Sequence, residues 1–147
     1  MKTLESEIVI QASAERIWDI LMDFKSYPEW NPFIKNIAGK PVPGERLRAT
    51  LQLEGRKPMV LKPKVKVNTP RREFRWLGHL IIPGFFDGEH IYSLEPPNQG
   101  GIRFIQKEEF RGILASTILK RIEEATRSGF DAMNYAFKQR AESGSAR

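Results

Sequence analysis

The sequence predicts an α+β fold in which one long C-terminal helix lies against an antiparallel sheet. Three observations carry this. Beyond Pro32, apolar side chains recur at every second position for about eighty residues, the period of half-buried strands. No helical pattern interrupts that stretch, which marks a meander rather than βαβ units. From Ile113 to about Glu142 the period then changes: Leu114, Ile118, Ile122, Ala125, Gly129, Met133 and Phe137 recur at steps of three and four, without a proline.

The elements follow in order. Leu4 to Gln11 alternate as a first strand, with Ile8 and Ile10 on one face. Ser13 is placed to cap a helix, Glu15 lies in its first turn where the helix dipole favours negative charge, and Ile17, Trp18, Ile20, Leu21 and Phe24 form its apolar stripe. Tyr27-Pro28-Glu29-Trp30-Asn31-Pro32 is an aromatic corner whose two prolines forbid a continuous helix. Leu47, Ala49, Leu51 and Leu53 then alternate with polar residues, as do Met59, Leu61, Pro63, Val65 and Val67 after a turn at Gly55. Pro63 cannot donate to a ladder, so this strand is bulged, interrupted or at an edge. Glu73 to Leu77 form a short strand closed by Gly78, and the apolar but broken run from Leu80 to Gly88 reads as a loop or lip. His90, Tyr92 and Leu94 share one strand face, and Ile102, Phe104, Gln106, Glu108 and Phe110 share another, before the long helix begins. Gly129 inside that helix costs about 1 kcal/mol against alanine, which points to a close approach or a bend.

At 147 residues the chain is expected to form a single domain over 1–143, followed by a frayed tail over 144–147. An apolar fraction of 40% with 29% charged residues is that of a globular protein rather than a disordered one. The absence of cysteine excludes disulfides, thiolate metal sites and cysteine nucleophiles. Charges at Lys2, Glu5 and Glu7 interrupt the N-terminus, and no window approaches the ~20 apolar residues of a membrane span. A soluble cytoplasmic monomer or homodimer without stable membrane insertion is expected. The net charge of +6 raises nucleic acid as a partner. However, Lys62, Lys64 and Lys66 alternate on one face, followed by Arg71, Arg72 and Arg75, without the interleaved aromatics of an RNA-binding sheet. A solvated outer face accounts for them, and no nucleic acid is expected.

Three stretches carry a family resemblance: Ile10-Gln11-Ala12-Ser13-Ala14-Glu15-Arg16-Ile17-Trp18, Tyr27 to Pro32, and Gly88-Glu89-His90 through Leu94-Glu95-Pro96. With the element order, they resemble the START-like superfamily, also called SRPBCC, and within it the bacterial branch labelled polyketide cyclase/dehydrase. The resemblance covers nearly the whole chain. It implies the helix-grip fold: a seven-stranded curved antiparallel sheet wrapped around the C-terminal helix, with two short helices between strands 1 and 2. It also implies a ligand cavity between sheet and helix.

On the inward faces read above, Met59, Phe74, Trp76, Tyr92, Phe104 and Phe110 either wall such a cavity or fill the core. His90 shares its face with Tyr92 and would sit beside Gln106 or Glu108, as a general base, a ligand anchor or a hydrogen-bonded structural histidine. Glu108 is the second polar residue on an apolar face, unless a bulge turns it outward. His79 and His90 are the only histidines and no carboxylates accompany them at metal-ligand spacing, so no metal and no cofactor are expected. The expected function is binding of a hydrophobic small molecule, lipid-like or polycyclic aromatic. The alternative is a cofactor-free cyclase, dehydratase or isomerase using His90 or Glu108 as acid or base.

Overall fold

The computed structural model describes residues 1–80, 82–96 and 100–143. The described elements run β1 (Lys2–Ile10), α1 (Ala14–Met22), a 3-10 turn (Phe24–Ser26), α2 (Tyr27–Trp30), β2 (Ile34–Ala38), β3 (Arg48–Leu51), β4 (Met59–Leu61), β5 (Lys64–Thr69), β6 (Glu73–Leu80), β7 (Phe86–Glu95), β8 (Ile102–Arg111) and α3 (Ala115–Ser143). All strand pairs are antiparallel. The long helix packs against β1, β7 and β8.

The strands do not form one seven-stranded sheet. They form a five-stranded sheet in the order β1-β8-β7-β6-β5 and a three-stranded sheet β2-β3-β4. Two local causes account for the difference. In β2 a register shift between Ile34 and Asn36 separates the buried Ile34 and Ile37 by three positions, so the strand carries no period-two signal. At Pro63 the expected strand is interrupted: Met59–Leu61 pairs with β3, while Lys64–Thr69 pairs with β6. Pro63 still accepts from the Leu47 amide at 2.8 Å, so only its missing donor is absent from pairing. The chain therefore crosses between sheets where a ladder amide is not needed.

The helical segment between the first two strands also differs from the expected pair, because a 3-10 turn joins α1 to α2. Ser13 does cap α1, accepting from the Arg16 amide at 3.1 Å. Arg16 itself donates to the carbonyls of Ala141 (2.7 Å) and Arg140 (3.2 Å), satisfying acceptors left over in the last turn of α3. The proline corner is held by the Asn31 side-chain oxygen, which accepts from the amides of Phe33 (2.9 Å) and Ile34 (2.8 Å).

The expected lip is largely a hairpin. β6 does not stop at Gly78 but continues to Leu80, and β7 starts at Phe86, with Gly78 paired to Gly88 and His79 to Asp87. Ile81 lies outside the described residues, as does the 144–147 tail. The run is apolar because Phe86 belongs to the core, stacked on Phe110 at 5.4 Å.

In α3 the buried stripe is Ala115, Leu119, Thr126, Phe130, Met133, Asn134, Phe137 and Ala141. Ile118, Ile122 and Ala125 are only partly buried. Gly129 marks a close approach: a Cβ there would stand 2.5 Å from the Phe33 ring. Phe33 is itself buried and packed edge-on against Phe130 at 5.6 Å. Gly129→Ala should therefore lower stability by about 1–2 kcal/mol in urea unfolding, because overpacking outweighs the gain in helix propensity. An increase in stability would show that Phe33 can swing aside freely.

Candidate functional site

The first half of α3 stands off the sheets and leaves a cavity of about 480 Å³, within the size range of small-ligand pockets. One wall comes from Phe33, Leu51, Leu53, Met59, Leu61 and Pro63. The facing wall is Trp76, Gly78, Phe86, Gly88, Glu108 and Phe110 on β6, β7 and β8, and Thr117, Ile118, Ile122 and Thr126 of α3 close it. Arg56 and Arg121, both exposed, complete the lining at its edge. His79 borders the cavity too, but its Nδ1 is 2.8 Å from Asp87, its cross-strand partner on the face opposite Trp76 and Phe86.

Of the residues expected to meet a ligand, Met59, Trp76, Glu108 and Phe110 lie on the cavity wall. Phe74, His90, Tyr92, Phe104 and Gln106 point to the same inner face but lie behind it, buried in the core. Phe104 packs on Phe137 at 4.5 Å, and Phe74 packs against Trp76 and Tyr92. His90 stacks on Tyr92 at 4.4 Å and is 3% exposed, so it can reach a ligand only through Glu108.

A line of polar groups extends from the cavity wall behind His90, through the buried Gln106 and Asn134, to Asp131 at the surface. The His90 Nδ1 lies 3.6 Å from Glu108 Oε1, and its Nε2 lies 3.0 Å from Gln106 Oε1. Gln106 donates to the Asn134 side-chain oxygen at 2.6 Å and to the Phe130 carbonyl at 3.3 Å. Asn134 donates to Ser6 Oγ at 3.0 Å, and Ser6 donates to the Asp131 carboxylate. Because a carboxylate accepts, every bond in the series has one direction, from His90 to Asp131. Gln106 must present its oxygen to His90, so the proton of neutral His90 sits on Nε2 and Nδ1 faces Glu108 as an acceptor. The arrangement leaves Glu108 as the carboxyl group at the cavity surface, with the His90 Nδ1 behind it.

Gly88 is what allows Glu108 to lie where it does: the carboxylate occupies the space that a Cβ at Gly88 would take. The Tyr92 hydroxyl is buried and has no hydrogen-bond partner among the described residues. Burial, followed by the charges of Tyr27 and Glu108, pushes its pKa up, so it stays neutral. Among the described residues no three His, Cys, Asp or Glu side chains gather as a metal site, and no helix is long and apolar enough to cross a membrane.

Gly78, Gly88, Arg56, Arg121 and Thr126 in the cavity lining, and Ser6, Asn134 and Asp131 in the polar series, are not among the residues expected from sequence to form the site. Two of these carried a signal. Thr126 and Asn134 stand eight positions apart on the helix with the apolar Phe130 midway, the spacing of one helix face. Arg56 and Arg121 carried none, since nothing in the sequence links a turn to a helix 65 residues later.

The family profile described as polyketide cyclase / dehydrase and lipid transport matches residues 1–142. No curated protein matches the sequence. Among solved structures, the chain is similar to a START superfamily protein from Mycobacterium smegmatis (21% identity, 96% of this chain and 97% of that one, TM-score 0.71). It is also similar to the Zhui aromatase/cyclase from Streptomyces sp. R1128 (13% identity, 96% and 93%, TM-score 0.76). A third similar structure is protein MLL2253 from Mesorhizobium loti (17% identity, 94% and 95%, TM-score 0.69). At these identities the likeness is one of fold.

Proposed function

The chain belongs to the polyketide cyclase / dehydrase and lipid transport family, and on that premise we propose that it binds an apolar small molecule in this cavity, with Glu108 accepting a hydrogen bond from a hydroxyl of the ligand. One observation carries the reading: a roomy, mostly apolar-walled space into which a single carboxylate, Glu108, projects from the sheet. Burying about 300 Å² of apolar ligand surface at ~25 cal/mol per Å² is worth roughly 7 kcal/mol, before the losses of immobilisation are subtracted. Affinity then comes from the walls and orientation from Glu108.

A second reading, a cofactor-free cyclase, dehydratase or isomerase, draws on the Glu108–His90 pair. Glu108 would take a proton from the ligand or give one to it, with the His90 Nδ1, 3.6 Å behind it, as the acceptor that faces the carboxyl group. Turnover of a bound ligand, lost in Glu108→Gln, separates this reading from simple binding.

Native mass spectra of gently purified protein should show a stoichiometric apolar adduct. A bare protein whose melting temperature is unmoved by fatty acids, sterols and aromatic polyketides overturns the cavity reading. With a responsive ligand class, Glu108→Gln and Gly88→Ala should each weaken a hydroxylated ligand about tenfold, the worth of one hydrogen bond to a charged group. The deoxy analogue should change by less than about twofold. Equal losses for both ligands would deny Glu108 its orienting role.

A further inference from the structure

We propose that the ligand is an acidic amphiphile, its apolar body inside the cavity and its anionic end held at the edge by Arg56 and Arg121. The inference rests on the ligand-binding reading above and adds the chemical class of the ligand.

Arg56 follows the exposed Gly55 turn between β3 and β4 and reaches across to α3, where its Nη2 donates to the Arg121 carbonyl at 2.9 Å. That bond fixes one guanidinium at the seam between turn and helix, and its other N–H groups have no partner among the described residues. Arg121 lines the same cavity. Two like charges thus share one edge, and no carboxylate pairs with either among the described residues. Some other arginines are matched, Arg75 to Glu73 and Glu89, Arg103 to Glu7 and Glu95, Arg140 to Glu29; what sets Arg56 and Arg121 apart is their place on the cavity lining.

The cavity edge is where such a pair has most effect. Low-dielectric walls focus the field of the two guanidiniums, and a carboxylate or phosphate is matched by the planar fork of each. Glu108 works in the opposite direction, since a carboxylate on the inner wall repels an anion that enters head first. Charge at the edge and charge inside therefore agree on one orientation, with the acid outward and a neutral hydroxyl inward.

The test compares decanoate, decyl phosphate, decan-1-ol and decyltrimethylammonium, all below their micelle concentrations, by calorimetry on the full chain. At low salt the acids should bind about tenfold more tightly than the alcohol, and the cation less tightly than the alcohol. Raising the ionic strength to about 0.5 M should shrink the advantage to about twofold, because exposed charges are screened. The double variant Arg56→Gln/Arg121→Gln should abolish the advantage and leave the alcohol's affinity unchanged. A greater gain for decanoate than for decyl phosphate names a carboxylate ligand, and the reverse names a phosphate; either supports the proposal. Equal affinity of acid and alcohol in the unaltered protein overturns the anion site while leaving the cavity reading intact. If none of the four binds, the acidic amphiphile falls as the ligand class, while the cavity reading still rests on the sterols and aromatic polyketides of the wider panel.

Discussion

Replacing Gln106 with leucine should lower the stability of the protein by about 3 kcal/mol, among the largest losses expected from a near-isosteric substitution. Gln106 is fully buried and holds three partners: it accepts from His90 and donates to Asn134 and to the Phe130 carbonyl. Leucine preserves most of the volume, so packing survives, but the His90 N–H and the Asn134 oxygen, both buried, lose their partner. Each such orphan costs roughly 1–3 kcal/mol. Urea unfolding measures the sum, and a loss below about 0.5 kcal/mol would mean that the polar series can rearrange without Gln106. A second readout is independent of stability. Imidazole ¹⁵N shifts should place the proton of neutral His90 on Nε2, and Gln106→Leu should release that preference. A native spectrum with the proton on Nδ1 would reverse the direction assigned to the whole series.

The reach of the sequence ends where partners come from distant segments. The first strand, the Ser13 cap and the inward set of Gln106, Glu108 and Phe110 are local, each set by periodicity or by one capping side chain, and β8 pairs with β7 through this stretch without a break in register. β2 hides because its bulge removes the alternation that marks a strand. The split at Pro63 was one of three outcomes the missing amide allowed, and only the pairing of Lys64 with β6 rather than with β3's sheet decides among them. The helix stripe is harder to read, since Ile118 and Ile122 face the cavity while Thr126 and Asn134 are buried. Periodicity reports which side of a helix is apolar, not whether a core or an empty space lies beneath it.

The same limit divides the candidate residues. An inward-facing position on the sheet is predictable from the pleat, and Phe74, Trp76, His90, Tyr92 and Phe104 are all buried. Whether such a residue borders the cavity depends on its position along the sheet relative to α3. Toward the centre of the helix Phe130 and Phe137 fill the space over His90 and Phe104; nearer its start the residues are Thr117, Ile118 and Ile122, and the space stays open. His90 therefore lies behind Glu108, whereas from sequence the two are equivalent.

That same geometry identifies the position at which the cavity can be closed without harm to the fold. Gly78 lies on the inner face of β6, opposite Gly88, and lines the cavity. A Cβ built on it would meet Pro63 at 3.8 Å and the Gly88 carbonyl at 3.9 Å, ordinary contact distances that leave open space beyond. Gly78→Phe should thus project a ring into the ligand's volume. Interiors tolerate no such overlap with a bound molecule, so affinity for any ligand of the cavity should fall by about 100-fold or more. Stability should hold or rise by up to about 1 kcal/mol, because an aromatic replaces glycine in a strand and fills unoccupied apolar space. Gly78→Ala, with only a methyl group added, should bind nearly as the unaltered chain does. Calorimetry paired with a melting curve reads both effects. Affinity retained within about threefold in a well-folded Gly78→Phe protein would place the ligand elsewhere, and would remove the ground on which Glu108, Arg56 and Arg121 were assigned to it.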